Sequence, residues 1–384
     1  MSTYAIKADT FYLPTRTARG GYLMVEDGRF GAYVVDEPDC EILDYTGKQI
    51  APGYVDTHIH GFDNCDIMDC KVESVLNIAK GVLRNGVTSW LPTTLTATTE
   101  QLEEACACVA DAAGSSEASE GARIQGIFLE GPFFTEKYKG AQNPAYLSAP
   151  SMEKLDRWQD AAKGLVKKIA IAPEYPESPS FCAEATAKGV VVALGHSAAT
   201  HAEACACLDA GAKVFVHTYN GMSGLHHREP GMVGAALSTG DKSFSELICD
   251  GHHVNPVSAS IVMNAKGHDH VALITDCMCA GGMPDGDYFL GELPVVVENG
   301  TARLKDGGSL AGSILNMNDA VKNVVDWGIA TPEQAVAMAT RVPAEANDID
   351  DVCGFIRPGR DADFVVLDHD MSLSETYLGG VSVY

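Results

Sequence analysis

The chain has 384 residues, of which 46% are hydrophobic and 21% are charged, as expected for a globular protein with a sizeable core rather than a disordered chain. Its formal net charge of −25 argues against nucleic acid and anionic membranes as partners. It has no long apolar run and no signal-peptide pattern, and its 12 cysteines are too few for a disulfide scaffold, so we expect a cytoplasmic protein without a membrane anchor.

The two ends of the chain have the pattern of short β-strands. Near the N-terminus, an Asp27-Gly28 turn separates segments of alternating polarity, which is a hairpin signal. Near the C-terminus, residues 362–367 form an apolar run that is typical of a buried strand. We predict that residues 1–52 and 354–384 pair into one small β-sandwich domain, and that residues 53–353 form a second domain inserted between them.

The middle of the chain alternates apolar strands with segments long enough for crossover helices. This alternation indicates parallel βα units. About eight units fit into residues 53–353, so we predict an α/β fold with a (β/α)8 TIM-type barrel, and a doubly wound open sheet is the structural alternative. The predicted strands are 124–129, 168–172, 190–194, 214–217, 244–249 and 271–275, and the predicted helices are 99–113, 180–189, 200–211 and 256–266.

Polar side chains follow the predicted barrel strands, at the point where each strand ends. They are His58, His60, Glu130, His196, His217 and Asp276. In a parallel barrel these positions converge on one mouth, where barrel enzymes have their active sites. Imidazoles and carboxylates bind divalent metals, and three protein ligands with a free fourth position are typical of catalytic zinc. A lone histidine at a strand end is more often structural, so the prediction of a metal site depends on several consecutive strand ends.

Six longer motifs, in this order along the chain, resemble one enzyme family. They are Leu129-Glu130-Gly131-Pro132-Phe133, Lys139-Gly140-Ala141, Gly195-His196-Ser197, Arg228-Glu229-Pro230-Gly231, Asp250-Gly251-His252-His253 and Leu310-Ala311-Gly312-Ser313. With His58-Ile59-His60-Gly61, they are similar to the N-acetylglucosamine-6-phosphate deacetylases of the amidohydrolase superfamily, over nearly the whole chain. The resemblance implies hydrolysis of a linear amide: N-acetylglucosamine 6-phosphate would give glucosamine 6-phosphate and acetate, in amino-sugar catabolism or cell-wall sugar recycling.

The resemblance also implies roles for individual residues. It places the principal metal site on Glu130, His196 and His217, and the catalytic carboxylate on Asp276. It places sugar and phosphate contacts on Ala141, Gln142, Asn220, Gly221, Arg228, His253, Ala311, Gly312 and Ser313. The cofactor implied is a divalent metal, which we expect to be zinc, while iron, manganese and cobalt also accept nitrogen and oxygen ligands.

Two variations on the family pattern bear on the site. Many relatives have histidine at the position of Gln142, whose amide can donate a hydrogen bond but cannot carry charge. Relatives also differ at His58 and His60, and some bind only one metal. This chain keeps both imidazoles, which suits a second metal there, and the sequence leaves open whether one metal or two is bound. The resemblance further implies a homodimer or a higher homo-oligomer, in which the loop of Arg228 lies near the subunit interface.

The sequence leaves several alternatives open. The planar guanidinium of Arg228 suits a phosphate, but it could instead form a surface ion pair with Glu229. The other open alternatives at single residues are His252 in place of His253, a helix N-cap role for Asp276, and a thiol nucleophile at Cys277 or Cys279. The substrate could be another N-acetyl amino-sugar phosphate, such as N-acetylgalactosamine 6-phosphate, or that of another amidohydrolase. A non-catalytic scaffold is the alternative of a different class.

Overall fold

The structure is a computed structural model that describes residues 3–384, so residues 1 and 2 of the predicted terminal domain lie outside the described residues. In chain order its strands are β1 (Thr3–Leu13), β2 (Arg16–Arg19), β3 (Tyr22–Glu26), β4 (Arg29–Val34), β5 (Glu41–Pro52), β6 (Tyr54–Ile59), β7 (Gly61–Phe62), β8 (Cys65–Asp66), β9 (Val87–Thr94), β10 (Arg123–Ile124), β11 (Ile127–Glu130), β12 (Val166–Ile171), β13 (Val191–Leu194), β14 (Val214–Phe215), β15 (Phe244–Leu247), β16 (Val271–Leu273), β17 (Gly286–Leu290), β18 (Leu293–Glu298), β19 (Thr301–Leu304), β20 (Phe364–Leu367), β21 (Leu373–Leu378) and β22 (Val381–Ser382). Its α-helices are α1 (Val72–Val82), α2 (Thr99–Ala113), α3 (Met152–Ala161), α4 (Ser178–Ala187), α5 (His201–Asp209), α6 (Gly231–Ser238), α7 (Pro256–Lys266), α8 (Met317–Asp326), α9 (Pro332–Ala339) and α10 (Arg341–Ala346).

Both ends of the chain contribute to one eight-stranded sheet. Its order is β22-β21-β20-β5-β1-β3-β4, with β2 paired to β1. The C-terminal strand β20 runs antiparallel to β5, so the two ends are hydrogen-bonded directly to each other. The predicted hairpin joins β3 and β4, with positive φ at both Asp27 and Gly28, as a tight hairpin turn requires. The sheet has a hydrophobic core of its own, which includes Ile6, Phe11 and Phe364. A separate sheet domain built from both termini is therefore confirmed.

The middle of the chain forms a parallel barrel. Its strands follow one another as β6, β9, β11, β12, β13, β14, β15 and β16. The barrel closes through the segment after β16, where Cys277 pairs in parallel with Ile59 and the amide of Asp276 donates to the carbonyl of His58 over 2.8 Å. Its fully buried side chains include Trp90 of β9 and Trp158 of α3. The predicted barrel is confirmed, and the open doubly wound sheet is wrong.

Helix boundaries follow the capping residues closely. The predicted helices 99–113 and 256–266 coincide with α2 and α7. The side chain of Thr98 accepts a hydrogen bond from the amide of Gln101, and that of Asn255 accepts one from Val257, so each helix begins where its cap allows. Within residues 3–384, the structure has no helix with the length and apolar character needed to span a membrane.

A small antiparallel sheet that the sequence analysis does not predict lies between β16 and α8. Its order is β17-β18-β19. The side chains of Leu290, Val295 and Val297 pack in one hydrophobic cluster with Met278 and Ala311. The sheet therefore packs against two segments beside the barrel mouth, the chain that follows Asp276 and the loop that contains Ala311.

Candidate active site

Six side chains able to bind a metal meet at the C-terminal ends of the barrel strands. They come from β6 and the residue after it, from the end of β11 and from the turns after β13, β14 and β16. Each is at most 8% exposed, and they are His58, His60, Glu130, His196, His217 and Asp276. The structure thus brings together all six residues that the sequence analysis placed at strand ends.

Glu130 lies at the centre of this cluster. Its Oε1 atom is 3.0 Å from Nε2 of His217 and 3.3 Å from Nε2 of His196. Its Oε2 atom is 3.3 Å from Nε2 of His60, which in turn lies 3.2 Å from Oδ1 of Asp276. Glu130 therefore separates one group, with His196 and His217, from a second group with His60 and Asp276.

Three of the histidines are oriented by backbone carbonyls at Nδ1. The carbonyls are those of Thr93 at 3.2 Å from His60, Tyr138 at 3.1 Å from His196, and Asn220 at 3.1 Å from His217. Because a carbonyl can only accept, each Nδ1 carries a proton and donates it. In the neutral imidazole this leaves a lone pair on Nε2, which is the atom that points into the cluster.

The arrangement of these lone pairs fits a divalent cation. The Nε2 atoms of His196 and His217 lie 3.1 Å apart, so two lone pairs face each other. Nε2 of His58 is buried and has no hydrogen-bond partner. The ligand atoms of His58, His60 and Asp276 lie within 4.8 Å of one another. A cation between such groups would relieve the repulsion and complete the coordination of each nitrogen.

The electrostatics of the cluster also favour bound positive charge. Burial alone would lower the pKa of His58, but Asp276 and Glu130 raise it to about 9. Burial likewise opposes protonation of His60, yet the same two carboxylates raise its pKa well above the usual value. Burial would raise the pKa of Glu130, but the neighbouring imidazoles, His58 foremost, hold it well below its usual range. A divalent metal can replace these protons as the partner of the two carboxylates.

Gln142, predicted to contact substrate, is part of this cluster. Its Nε2 donates to Oε2 of Glu130 over 2.9 Å, and its Oε1 accepts from the amide of Thr96 over 2.9 Å. The side chain is 2% exposed, and its neighbour Ala141 is 9% exposed. Gln142 therefore orients the carboxylate that all four histidines of the cluster contact.

Asp276 is supported by the predicted substrate loop. The amide of Ser313 donates to the carbonyl of Asp276 over 2.7 Å, and its hydroxyl donates to the carbonyl of Thr275 over 2.5 Å. A Cβ at Gly312 would lie 3.2 Å from the carbonyl oxygen of Asp276, so this loop runs directly beside it. The residues after Asp276, 277–285, are not helical, so the alternative of a helix N-cap is wrong.

The residues that were predicted to bind the phosphate differ in how deeply they are packed into the site. Asn220 follows His217 in a tight turn, where its amide donates to the carbonyl of His217 over 2.9 Å. Gly221 packs against His196, because a Cβ there would lie 2.8 Å from Nδ1 of that imidazole. The side chain of His253 is only 6% exposed and pairs with Asp250, Nδ1 to Oδ2, at 2.6 Å.

Arg228 lies on the exposed loop between β14 and α6. Its Nη1 atom is 2.8 Å from Nε2 of His227. Glu229 instead accepts the amides of His201 and Gly231 over 2.9 and 3.1 Å, which is not the predicted alternative of an ion pair with Arg228. The loop thus presents a cationic side chain to solvent.

The two cysteines that flank Asp276 are poor nucleophiles. Burial raises the pKa of the Cys279 thiol to about 12, and it raises that of Cys277 well above its usual value. The Cys279 thiol donates to the carbonyl of Phe289 over 3.0 Å. Since the thiolate is the reactive form, the geometry gives no support to a thiol nucleophile.

Three charged residues that the sequence analysis misses lie in the barrel interior beneath the cluster. Glu246 of β15 contacts Nδ1 of His58 at 3.1 Å and forms an ion pair with Lys168 of β12. Asp56 of β6 accepts a hydrogen bond from the hydroxyl of Thr275 over 2.6 Å. All three are 0% exposed. Their signal in the sequence is a charged residue within a short barrel strand, because a buried charge requires a partner.

Comparison with known proteins agrees with this geometry. The amidohydrolase family matches residues 50–383. The chain is 39% identical to the N-acetylglucosamine-6-phosphate deacetylase of Vibrio furnissii, over 87% of this chain and 83% of the relative, and 38% identical to the N-acetylgalactosamine-6-phosphate deacetylase of Escherichia coli O157:H7, over 93% of each. A mutant of the Mycobacterium smegmatis N-acetyl-D-glucosamine-6-phosphate deacetylase, solved with N-acetyl-D-glucosamine-6-phosphate, superposes with a TM-score of 0.93 at 30% identity over 100% of both chains. The protein therefore belongs to the amidohydrolase family.

Proposed function

We propose that the protein is a metal-dependent deacetylase that hydrolyses the acetamide of N-acetyl-D-glucosamine 6-phosphate to D-glucosamine 6-phosphate and acetate, in amino-sugar catabolism or cell-wall sugar recycling. The observation that carries the proposal is the buried cluster in which Glu130 contacts His196 and His217 at 3.3 and 3.0 Å. A second support is that relatives of 39% and 33% identity are named for this reaction.

The metal ligands in this proposal are Glu130, His196 and His217 for the principal site, with His58, His60 and Asp276 forming the second. We propose zinc, whose preference for nitrogen and oxygen ligands suits this set. When bound, the metal supplies Lewis acidity, which activates water near neutral pH and polarises the acetamide carbonyl. A non-catalytic scaffold would have no need to keep buried, mutually repelling lone pairs at the barrel mouth.

Asp276 transfers the proton in this mechanism. Burial would raise the pKa of its carboxyl group, but His58 and His60 hold the pKa below its usual value, so the group is ionised near neutral pH. The carboxylate accepts a proton from the attacking water and then gives it to the departing nitrogen, because an amine leaves an amide only when it is protonated.

The remaining predicted residues bind and orient the sugar phosphate. Gln142 fixes Glu130 through its 2.9 Å hydrogen bond, and Ala141, next to it, leaves room for the sugar. We assign the phosphate to Arg228 and His253, with the backbone of Asn220 and Gly221. The loop of Ala311, Gly312 and Ser313 borders the acetamide side, since it lies directly against Asp276.

N-acetylgalactosamine 6-phosphate is a second candidate substrate. The two sugars differ only in configuration at C4, and the relative from Escherichia coli O157:H7 that is named for the galactosamine substrate is 38% identical over 93% of this chain. The acetamide and phosphate are common to both, so the metal cluster and Arg228 serve either substrate. Contacts to the C4 hydroxyl decide between them.

Acetate release from a small panel of sugars tests the proposal on protein whose metal content has been measured. The panel contains both 6-phosphates and the two unphosphorylated N-acetyl sugars. We expect rapid release from N-acetylglucosamine 6-phosphate, slow release without phosphate, and loss of activity with a chelator that added zinc reverses. Full activity in metal-free protein, or preference for an unphosphorylated substrate, would contradict the proposal.

We also propose that the enzyme works as a homodimer in the cytoplasm. Leu225 on the Arg228 loop and Val257 and Ile261 on α7 are 60%, 69% and 50% exposed, and exposed apolar side chains suit a subunit interface. The 12 cysteines are all unpaired, which suits a reducing compartment. Light scattering coupled to gel filtration measures the assembly, and a monomer at micromolar concentration would contradict the dimer.

A further inference from the structure

We propose that Glu246 and Lys168 are positioning residues that fix His58 as a ligand of the second metal site. The inference rests on the proposed function, because it takes the histidine–carboxylate cluster to be a metal site. It assigns a task to an ion pair in the barrel interior that the deacetylation mechanism itself does not use.

The ion pair is fixed from several sides. Glu246 and Lys168 are each 0% exposed and project into the barrel from β15 and β12. The ammonium of Lys168 lies 3.9 Å from the centroid of the Phe128 ring and 3.4 Å from the carbonyl oxygen of Thr57. It contacts Oε1 of Glu246, which leaves Oε2 as the atom that faces His58. Lys168 therefore sets the orientation of the carboxylate.

The carboxylate in turn sets the tautomer of His58. Oε2 of Glu246 lies 3.1 Å from Nδ1 of His58 and can only accept, so Nδ1 is the protonated nitrogen of the neutral ring. The Phe128 ring packs edge-on against this imidazole, with centroids 4.8 Å apart, and restricts its rotation. The lone pair of His58 is thereby committed to Nε2.

In the neutral ring, the Nε2 lone pair of His58 faces two carboxylate oxygens. It is buried without a hydrogen-bond partner, 3.3 Å from Oε1 of Glu130 and 3.4 Å from Oδ1 of Asp276. A lone pair opposite two carboxylate oxygens is repulsive, so Nε2 requires either a proton or a metal, and a metal there would bind all three groups. His58 also differs from His60, His196 and His217, whose Nδ1 atoms face neutral carbonyls, because a carboxylate partner makes an imidazole a stronger ligand.

Metal content and metal affinity test the inference without reference to turnover. Glu246→Gln keeps the size of the side chain and removes its charge. Metal per subunit is measured by mass spectrometry after dialysis against buffered zinc, and the two dissociation constants are measured by competition with a chromogenic chelator. We expect two equivalents in the native protein. In Glu246→Gln the weaker constant rises about 10- to 100-fold, while the tighter one changes less than about 2-fold.

Two further variants give the test its controls. Lys266→Met removes another buried lysine, whose ammonium lies 2.6 Å from the carbonyl of Gly240 and 2.7 Å from the hydroxyl of Ser243, and should leave both metals in place. His58→Gln should reproduce the loss, and combining it with Glu246→Gln should add nothing further, since both act on one ligand. If Glu246→Gln folds poorly, the double variant Glu246→Gln/Lys168→Met removes both charges together and avoids an unpaired buried ion.

The outcomes separate the inference from the proposed function. Two metals held with native affinity in Glu246→Gln, an equal weakening of both sites, or a native protein with a single metal would each overturn the inference. If that single metal were still required for acetate release, the proposed function would stand. Deacetylation by native protein that holds no metal at all would overturn the proposed function instead.

Discussion

Four histidines direct Nε2 into one cluster around Glu130 because each Nδ1 is already engaged. Three use backbone carbonyls, as for His60 with Thr93, and His58 uses the carboxylate of Glu246. The acceptors lie outside the cluster, so they set the ring orientation without occupying a ligand position. The protein therefore fixes the tautomer that is protonated at Nδ1, and this leaves the Nε2 lone pairs already oriented for a metal.

Replacing Asp276 by Asn tests the proton transfer. The amide keeps the size of the side chain and its hydrogen bonding, but it cannot accept a proton from water. We expect kcat to fall about 10²- to 10⁴-fold with little change in KM, because the group acts in the transition state rather than in binding. Steady-state kinetics on protein matched for metal content measure the effect. A near-native kcat would leave Asp276 with a structural role only.

Replacing Arg228 by Ala tests phosphate recognition. Charge-assisted hydrogen bonds contribute about 1.5–3 kcal/mol, so KM for the 6-phosphate substrate should rise about 10-fold or more. Turnover of the unphosphorylated sugar should hardly change, because that substrate never makes the contact. Arg228→Lys should recover only part of the loss, since an ammonium lacks the planar fork. Equal losses on both substrates would show that Arg228 supports the loop or the interface instead.

At the scale of elements, short turns after the strands aim three side chains of the cluster. His196, His217 and Asp276 have φ values of 44°, 28° and 49°, which residues other than glycine rarely adopt. Each of the three follows directly after a short barrel strand has ended, and this geometry turns the side chain towards the mouth. Backbone conformations of this kind persist only where the surrounding structure fixes them, and they concentrate at functional sites.

Gly221→Ala tests how closely one of these turns is packed. The new Cβ would lie 2.8 Å from Nδ1 of His196 and 3.1 Å from the carbonyl oxygen of Tyr138, the two atoms of the hydrogen bond that orients this ring. We expect metal affinity to fall about 10- to 100-fold. Gly240→Ala is the matched control, because Gly240 also has positive φ but a Cβ there meets nothing within 4 Å. It should cost only the backbone strain of about 1–2 kcal/mol in the free energy of unfolding. Equal metal affinity in both variants would contradict this account.

The periodicity of the sequence predicts most of the barrel, and the polar residues at its strand ends predict the six side chains of the cluster at the mouth. The strand run 214–217 is predicted two residues too long, because the chain leaves the sheet after Phe215 to orient His217. Lys168 and Glu246 escape prediction for a different reason. Both lie in short strands, Lys168 directly after a second lysine, and their partnership across the barrel becomes visible only once β12 and β15 are placed in three dimensions. The sheet β17-β18-β19 lies where the strand–helix alternation stops, and no periodic signal extends there.

At the scale of the whole molecule, the net charge is strongly negative, whereas the barrel mouth must be locally positive to bind a phosphate. The net charge of −25 repels a dianionic sugar phosphate, so binding depends on local positive charge at the mouth. The metal cluster supplies part of it, since Glu130 and Asp276 are already matched by the imidazoles around them. The same cluster joins β6, β11 and β16, which lie far apart in sequence, and so it links metal binding to the stability of the barrel.

The pH dependence of metal stabilisation follows from this linkage. In metal-free protein the pKa of His58 is about 9, above the ordinary value of 6.5, because Asp276 and Glu130 outweigh the effect of burial. A raised histidine pKa stabilises the folded state fully below about pH 6.5, and this contribution is lost as pH rises towards 9. Metal competes with the same protons, so its affinity increases over the same range.

We therefore expect the Tm difference between zinc-loaded and metal-free protein to be larger at pH 9 than at pH 6.5. Binding at 100 times Kd contributes about 2.7 kcal/mol, and each 1 kcal/mol moves Tm by about 1–2 °C in a chain of this length, so the effect is within reach of calorimetry. His58→Gln together with His60→Asn should keep the principal metal and lose most of the pH dependence, because the raised pKa values belong to these two imidazoles. A Tm difference that stays constant with pH in the native protein would mean that the carboxylates do not hold protons on His58 and His60, and the account of the cluster as a proton-exchanging metal site would be wrong.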